Sequence, residues 1–159
     1  MTAAMDRVPA TYVITLPNSD PGSAVTRAAL LAAAAGRADR VAVDALGERR
    51  YWAMLGNADA MLGNSSSALI EAPVFALPAV NVGSRQRGRL RGANVIDAPP
   101  DAEAITVALR RALSPEFRAG LAGTTSPYGD GRSAPRIVEI LRGWTPPRPP
   151  VKAGIPVGA

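Results

Sequence analysis

The residues best suited to chemistry are Gly63-Asn64-Ser65-Ser66-Ser67, Glu71 and Arg85. Small residues let backbone N–H groups approach an anion, and serine hydroxyls add donors beside the positive end of a helix. Glu71 follows about one turn later, where a carboxylate accepts from vicinal hydroxyls, as acidic residues do for a ribose. Arg85, beyond the next apolar run, offers a guanidinium to a second phosphate edge. The chemistry suggested is a nucleoside diphosphate held by Ser, Glu and Arg. A competing reading of the same residues is a serine helix cap followed by a solvent-facing glutamate.

Other chemistries are excluded or weaker. Cysteine and histidine are both absent. That removes zinc sites built on them, thiol redox chemistry and any Ser-His or Cys-His nucleophilic pair. There is no GxxxxGKS/T loop and no GxGxxG between a strand and a helix. Gly129-Asp130-Gly131 reads as a turn with capping rather than a metal or acid site. The formal net charge is +5, and all but Lys152 of the 18 basic residues are arginines. Beside so much alanine, that skew reads as coding bias. Arg85, Arg87, Arg89 and Arg91 nevertheless alternate within one short stretch. They fit a phosphate site of guanidinium forks, a nucleic-acid patch or a solvated face. The lack of aromatic stacking residues nearby counts against nucleic acid.

These residues must be positioned by the elements around them. The chain of 159 residues fits one domain, and it is long enough to fold without a disulfide or metal. Tyr12–Leu16, Arg40–Ala45, Asp59–Leu62, Pro78–Val82 and Asn94–Ile96 read as strands. Asp20-Pro21-Gly22 reads as a turn into a helix from Ser23 to Ala35. Further helices are expected over residues 48–56, 67–75, 115–121 and 132–143, and over 102–113 behind an Asp101 cap. Tyr51, Trp52 and Leu55 fall at helical spacing and read as core. Strands alternating with helices predict an α/β fold, a Rossmann-like parallel sheet with helices on both faces. The serine loop then falls at the carboxyl end of a strand, where ligands bind in such sheets. Residues 1–10 read as an N-terminal lead, 11–143 as the domain and 144–159 as a Pro-rich disordered tail. No apolar run reaches the ~18 residues of a membrane span. The N-terminus lacks a signal-peptide layout, so the expected location is cytoplasmic.

Three stretches carry a resemblance: GNSSSALIEAP, PAVNVGSRQRGRLRGANVID and SPYGDGRSAPRIVEIL. Together with TLPNSDPGS and LGERRYWAML, they make the chain similar to the C-terminal half of UDP-N-acetylglucosamine 2-epimerases. It most resembles the hydrolysing kind that releases N-acetylmannosamine for sialic acid synthesis. The resemblance implies a GT-B arrangement of two Rossmann-like halves, of which this would be the UDP-binding one. It implies that Ser65, Ser66 and Arg85 bind the diphosphate and Glu71 the ribose, with Ala45 and Leu46 facing the uracil. Asn64, Ser67, Gln86 and Arg89 would support that loop. In the family, UDP is eliminated to leave a glycal and water then adds with inversion at C2, without a cofactor. The family's catalytic carboxylates and functional histidine lie upstream, so no catalytic residue is expected in this chain. Ala68 and Ser84 stand where the family usually has glycine and aspartate. Expected partners are UDP or UDP-N-acetylglucosamine, a separate N-terminal-half chain and a second copy of the chain. A non-catalytic remnant and a nucleic-acid binder acting through Arg85 to Arg91 are the alternatives.

Overall fold

The computed structural model describes residues 1–18 and 22–145. It divides between Tyr128 and Gly129 into two compact units, and every candidate site residue lies in the first. In that unit, β1 (Tyr12–Thr15) and β2 (Arg40–Val43) pair in parallel, with Tyr12 opposite Arg40. β3 (Met61–Gly63), β4 (Ala79–Val82) and β5 (Val95–Ala98) form a second parallel ladder in that order. Parallel neighbours need crossover connections. α2 (Ser23–Ala34) joins β1 to β2, and α3 (Gly47–Asn57) joins β2 to β3. α4 (Ser67–Ile70) and a 3-10 turn (Ala72–Phe75) join β3 to β4. α5 (Ala102–Ala112) and α6 (Pro115–Ala119) follow β5.

The core lies on both faces of β4, as a doubly covered parallel sheet requires. Val80 packs with Ile96, Ile105 and Leu109, which brings in α5. Ala79 points the other way and packs with Leu55, Ala68 and Leu69, which brings in α3 and α4. Each large aliphatic side chain buried there contributes about 1.5–3 kcal/mol. α5 is well specified: Asp101 caps it by accepting from the N–H groups of Glu103 and Ala104 at 3.0 and 2.9 Å. Its residues Ile105, Ala108, Leu109 and Ala112 then recur at helical spacing and are buried.

Four differences from the sequence reading have physical causes. β3 and β5 are displaced by about two residues and one residue toward the C-terminus, within the usual uncertainty of element ends. The expected helix from Ser67 to Phe75 breaks at Glu71, because Pro73 has no N–H to continue the ladder and its ring opposes the preceding turn. The strands pair as two ladders; Tyr12 and Leu62 instead meet through side chains on one core. Finally, residues 1–10 include a short helix, α1 (Thr2–Met5), whose Ala4 enters that core together with Val8. The Tyr12 hydroxyl donates to Val8 O at 2.7 Å. Arg40, only 2% exposed at its side chain, donates to Asp6 at 2.6 Å and to Ala33 O at 3.1 Å.

The second unit contains α7 (Ser133–Gly143), which carries Ile137, Ile140 and Leu141 at helical spacing. Asp130 accepts from the Arg132 N–H and takes both ends of the Arg136 guanidinium, so Gly129-Asp130-Gly131 is a turn as expected, while Arg132 at the N-cap position of α7 leaves the helix without a side-chain cap. The Asp20-Pro21 part of the expected turn and residues 146–159 of the expected tail lie outside the described residues. Among the described residues, no helix is long and apolar enough to cross a membrane.

Candidate functional site

The site begins where β3 ends. Gly63 closes the strand, Asn64 and Ser65 are exposed, and Ser66 stands at the N-cap position of α4. Ser66 holds helical backbone angles and its side chain makes no capping bond. Ser65 Oγ instead accepts from the Ser67 N–H at 3.3 Å. The N–H groups of Ser65 and Ser66 have no partner among the described residues. Adjacent unbonded N–H groups at the head of a helical turn are anion receptors.

Behind them the structure is tightly tied. Ser67 is buried, and its hydroxyl is hydrogen-bonded to that of Tyr51 on α3. Ala68 is fully buried against Leu69 and Ala79. Asn94 donates to the carbonyls of Ala68 and Leu77 at 3.1 and 3.0 Å, holding α4 to the start of β5. Glu71 closes α4, one turn after Ser67 and therefore on its side of the helix. It is half-buried, and its Oε2 is shielded from solvent with no hydrogen-bond partner in the protein. The solvent-facing alternative for Glu71 does not describe that oxygen.

Arg85 sits on the turn that follows β4, which Gly83 opens at φ +79°. Arg85 is exposed and makes no hydrogen bond or ion pair among the described residues. Ser84 is exposed beside it. The four alternating arginines are all exposed. Gln86 among them is buried and donates to Asn64 O at 2.8 Å. Arg91 differs from the others in being tied to the protein, donating to Asp97 at 2.7 Å, to Arg89 O at 2.7 Å and to Gln86 O at 3.2 Å. Arg89 stays exposed, and its N–H donates to Gln86 O. Asp97 also accepts from Asn81 at 2.6 Å. Partial burial would raise the Asp97 carboxyl, but the bonds from Asn81 and Arg91 and the Arg91 charge outweigh it and hold it below the usual carboxylate range.

Ala45 and Leu46 lie at the carboxyl end of β2, with Leu46 at the N-cap position of α3. Tyr51 is five positions further along that helix, about 7–8 Å of axis, and it touches Ser67. The Ala45–Leu46 loop and the serine segment are thus linked through one helix. The sequence places Tyr51 in the core and carries no local functional signal at Asn94 or Asp97. Tyr51 is core as well, packing beside Leu55 and Leu69. The one visible signal for Asn81 was a polar residue within the apolar run PAVNV. Among the described residues, no cluster of acidic side chains could hold a metal.

The sequence profile of the UDP-N-acetylglucosamine 2-epimerase family matches residues 1–142. The chain belongs to that family. A relative in Legionella pneumophila, a UDP-N,N'-diacetylbacillosamine 2-epimerase (hydrolyzing), is 46% identical over 89 residues. The aligned part covers 55% of this chain and 22% of the relative. A GDP/UDP-N,N'-diacetylbacillosamine 2-epimerase (hydrolyzing) of Campylobacter jejuni is 49% identical over 55 residues, 35% of this chain and 14% of that protein. The fold matches the UDP-GlcNAc 2-epimerase of Methanocaldococcus jannaschii, solved with UDP-GlcNAc and UDP, at a TM-score of 0.65 and 16% identity. That match covers 87% of this chain and 37% of the archaeal one. The chain therefore spans well under half the length of these family members, and it shows the family's α/β fold with parallel strands and flanking helices.

Proposed function

We propose that this chain is the nucleotide-binding, C-terminal half of a hydrolysing UDP-N-acetylglucosamine 2-epimerase. Ser65 and Ser66 offer N–H groups and hydroxyls to the diphosphate, and Arg85 closes on its other edge. Glu71 accepts from the ribose hydroxyls, and Ala45 and Leu46 border the uracil. The observation that carries this reading is the half-buried Glu71 carboxylate, without a hydrogen-bond donor among the described residues, closing the short helix that the free Ser65 and Ser66 N–H groups precede. A carboxylate with no donor from the protein has acceptor capacity to spare, and a ribose diol can donate to the oxygen that stays open to solvent.

In the reaction proposed, the C1–O bond of the sugar nucleotide breaks as a base removes the C2 proton, and UDP leaves. Negative charge grows on the departing β-phosphate. Fixed N–H donors and a guanidinium aimed at it stabilise that charge more in the transition state than before it. Water then adds to the glycal to give N-acetylmannosamine. The proton transfers belong to residues outside this stretch, on a separate chain or on the rest of a longer one, and the proposed setting is the cytoplasm. Amide NMR spectra should show UDP moving the Ser65, Ser66 and Glu71 signals. Shifts confined to residues 85–91, or none, would contradict the assignment.

A further inference from the structure

Gln86 is 3% exposed, yet only one end of its amide is used. Nε2 donates to Asn64 O at 2.8 Å, while Oε1 is buried without a partner. A half-satisfied buried amide works against folding, and an apolar side chain of the same length would avoid that penalty. Packing alone does not account for a glutamine there.

Its one bond acts on the Asn64–Ser65 peptide. That peptide is planar and trans, so its C=O and N–H point in opposite directions. Holding Asn64 O from one side therefore aims the Ser65 N–H to the other, and that N–H has no partner among the described residues. Gln86 is also the chain neighbour of Arg85. Its own carbonyl accepts from Arg91 at 3.2 Å, and Arg91 is anchored to Asp97 on β5 at 2.7 Å. One side chain thus spans the serine segment and the arginine turn, with its backbone fixed to the sheet.

We propose that Gln86 is a positioning residue for a phosphate chain. It aims the Ser65 N–H and sets the Arg85 turn at a fixed spacing from it, so that one diphosphate meets both. It acts through Asn64 and Arg91 and touches no ligand itself. The proposal rests on the UDP-binding reading and assigns within it what makes the serine and arginine loops a single receptor.

The test is NMR titration of the wild-type chain, Gln86→Met and Gln86→Asn with UDP and with uridine, alongside thermal unfolding. Gln86→Met should unfold at the wild-type temperature or above and bind uridine as the wild type does. It should lose about tenfold of the wild-type preference for UDP over uridine, the worth of one charge-assisted hydrogen bond. Gln86→Asn keeps the amide but is one methylene short, and it should lose the same preference. A preference unchanged in both variants overturns the proposal alone. So does a lowered unfolding temperature, or a failure to fold, with any loss of affinity shared by both ligands. A folded wild-type chain with no preference for UDP over uridine overturns the UDP reading and the proposal with it.

Discussion

The hydroxyls of Tyr51 on α3 and Ser67 on α4 are hydrogen-bonded to each other. The contact fastens α3 to the point where β3 hands over to α4, and it occupies the Ser67 hydroxyl. Ser65 and Ser66 are left as the serines available to an anion. Tyr51→Phe leaves a buried hydroxyl unpaired and should cost about 1 kcal/mol. The midpoint of thermal unfolding should fall by about 2–5 °C. An unchanged midpoint would show that the contact does not hold the two helices together.

Glu71 gives a prediction that separates stability from binding. Its Oε2 has no protein partner to lose, so Glu71→Ala should unfold close to the wild-type temperature. UDP affinity should fall more than about tenfold, as for a lost hydrogen bond to a charged group. The wild type should discriminate against 2′,3′-dideoxy-UDP, and the variant should not. Equal affinities in wild type and variant would remove the ribose contact.

Arg40 and Asp6 test whether the first ten residues are structural. Asp6→Ala leaves a buried guanidinium with only Ala33 O at 3.1 Å and the longer 3.8 Å contact to Asp39. The expected loss is about 2 kcal/mol, below that of a fully buried pair because Asp6 is 54% exposed. Arg40→Met removes the charge along with the pairing and should cost less. Urea unfolding of both variants checks the order, and the reverse order would contradict it.

The end of α2 and start of β2 should show an acid dependence. The hydrogen bond from Arg37 lowers the Asp39 carboxyl from 3.8 to about 2. A lowered folded value means the stabilisation is complete above 3.8 and is lost as pH falls through about 2. Arg37→Ala should move the Asp39 midpoint back toward its ordinary value, as read by carboxyl carbon NMR. A midpoint that stays low would assign the effect to another group.

Much of this molecule is legible in its sequence because the signals are local. YVITL and RVAVDA announce strands, and Asp101 followed by apolar residues at helical spacing announces α5. GNSSS and Glu71 mark the serine segment and its short helix in the right order along the chain. What escaped depends on contacts between distant residues. Asn94 reaches the carbonyls of Ala68 and Leu77 across 26 and 17 positions. No local pattern distinguishes that amide from a surface one. Arg40 escaped for a related reason, since an arginine beside a strand is ordinarily solvated, and only the fold brings Asp6 and Ala33 to it. The break at Glu71 was readable from Pro73, but the apolar run around it reads equally well as one continuous helix.

The most direct measurement is calorimetric titration of the folded chain with UDP, UDP-N-acetylglucosamine and ADP at physiological salt. UDP and UDP-N-acetylglucosamine should both bind, with most of the affinity coming from the uridine diphosphate, and ADP should bind far more weakly. No heat from a folded sample at millimolar UDP, or equal binding of ADP, would contradict the assignment of Ser65, Ser66, Glu71 and Arg85 as a UDP site.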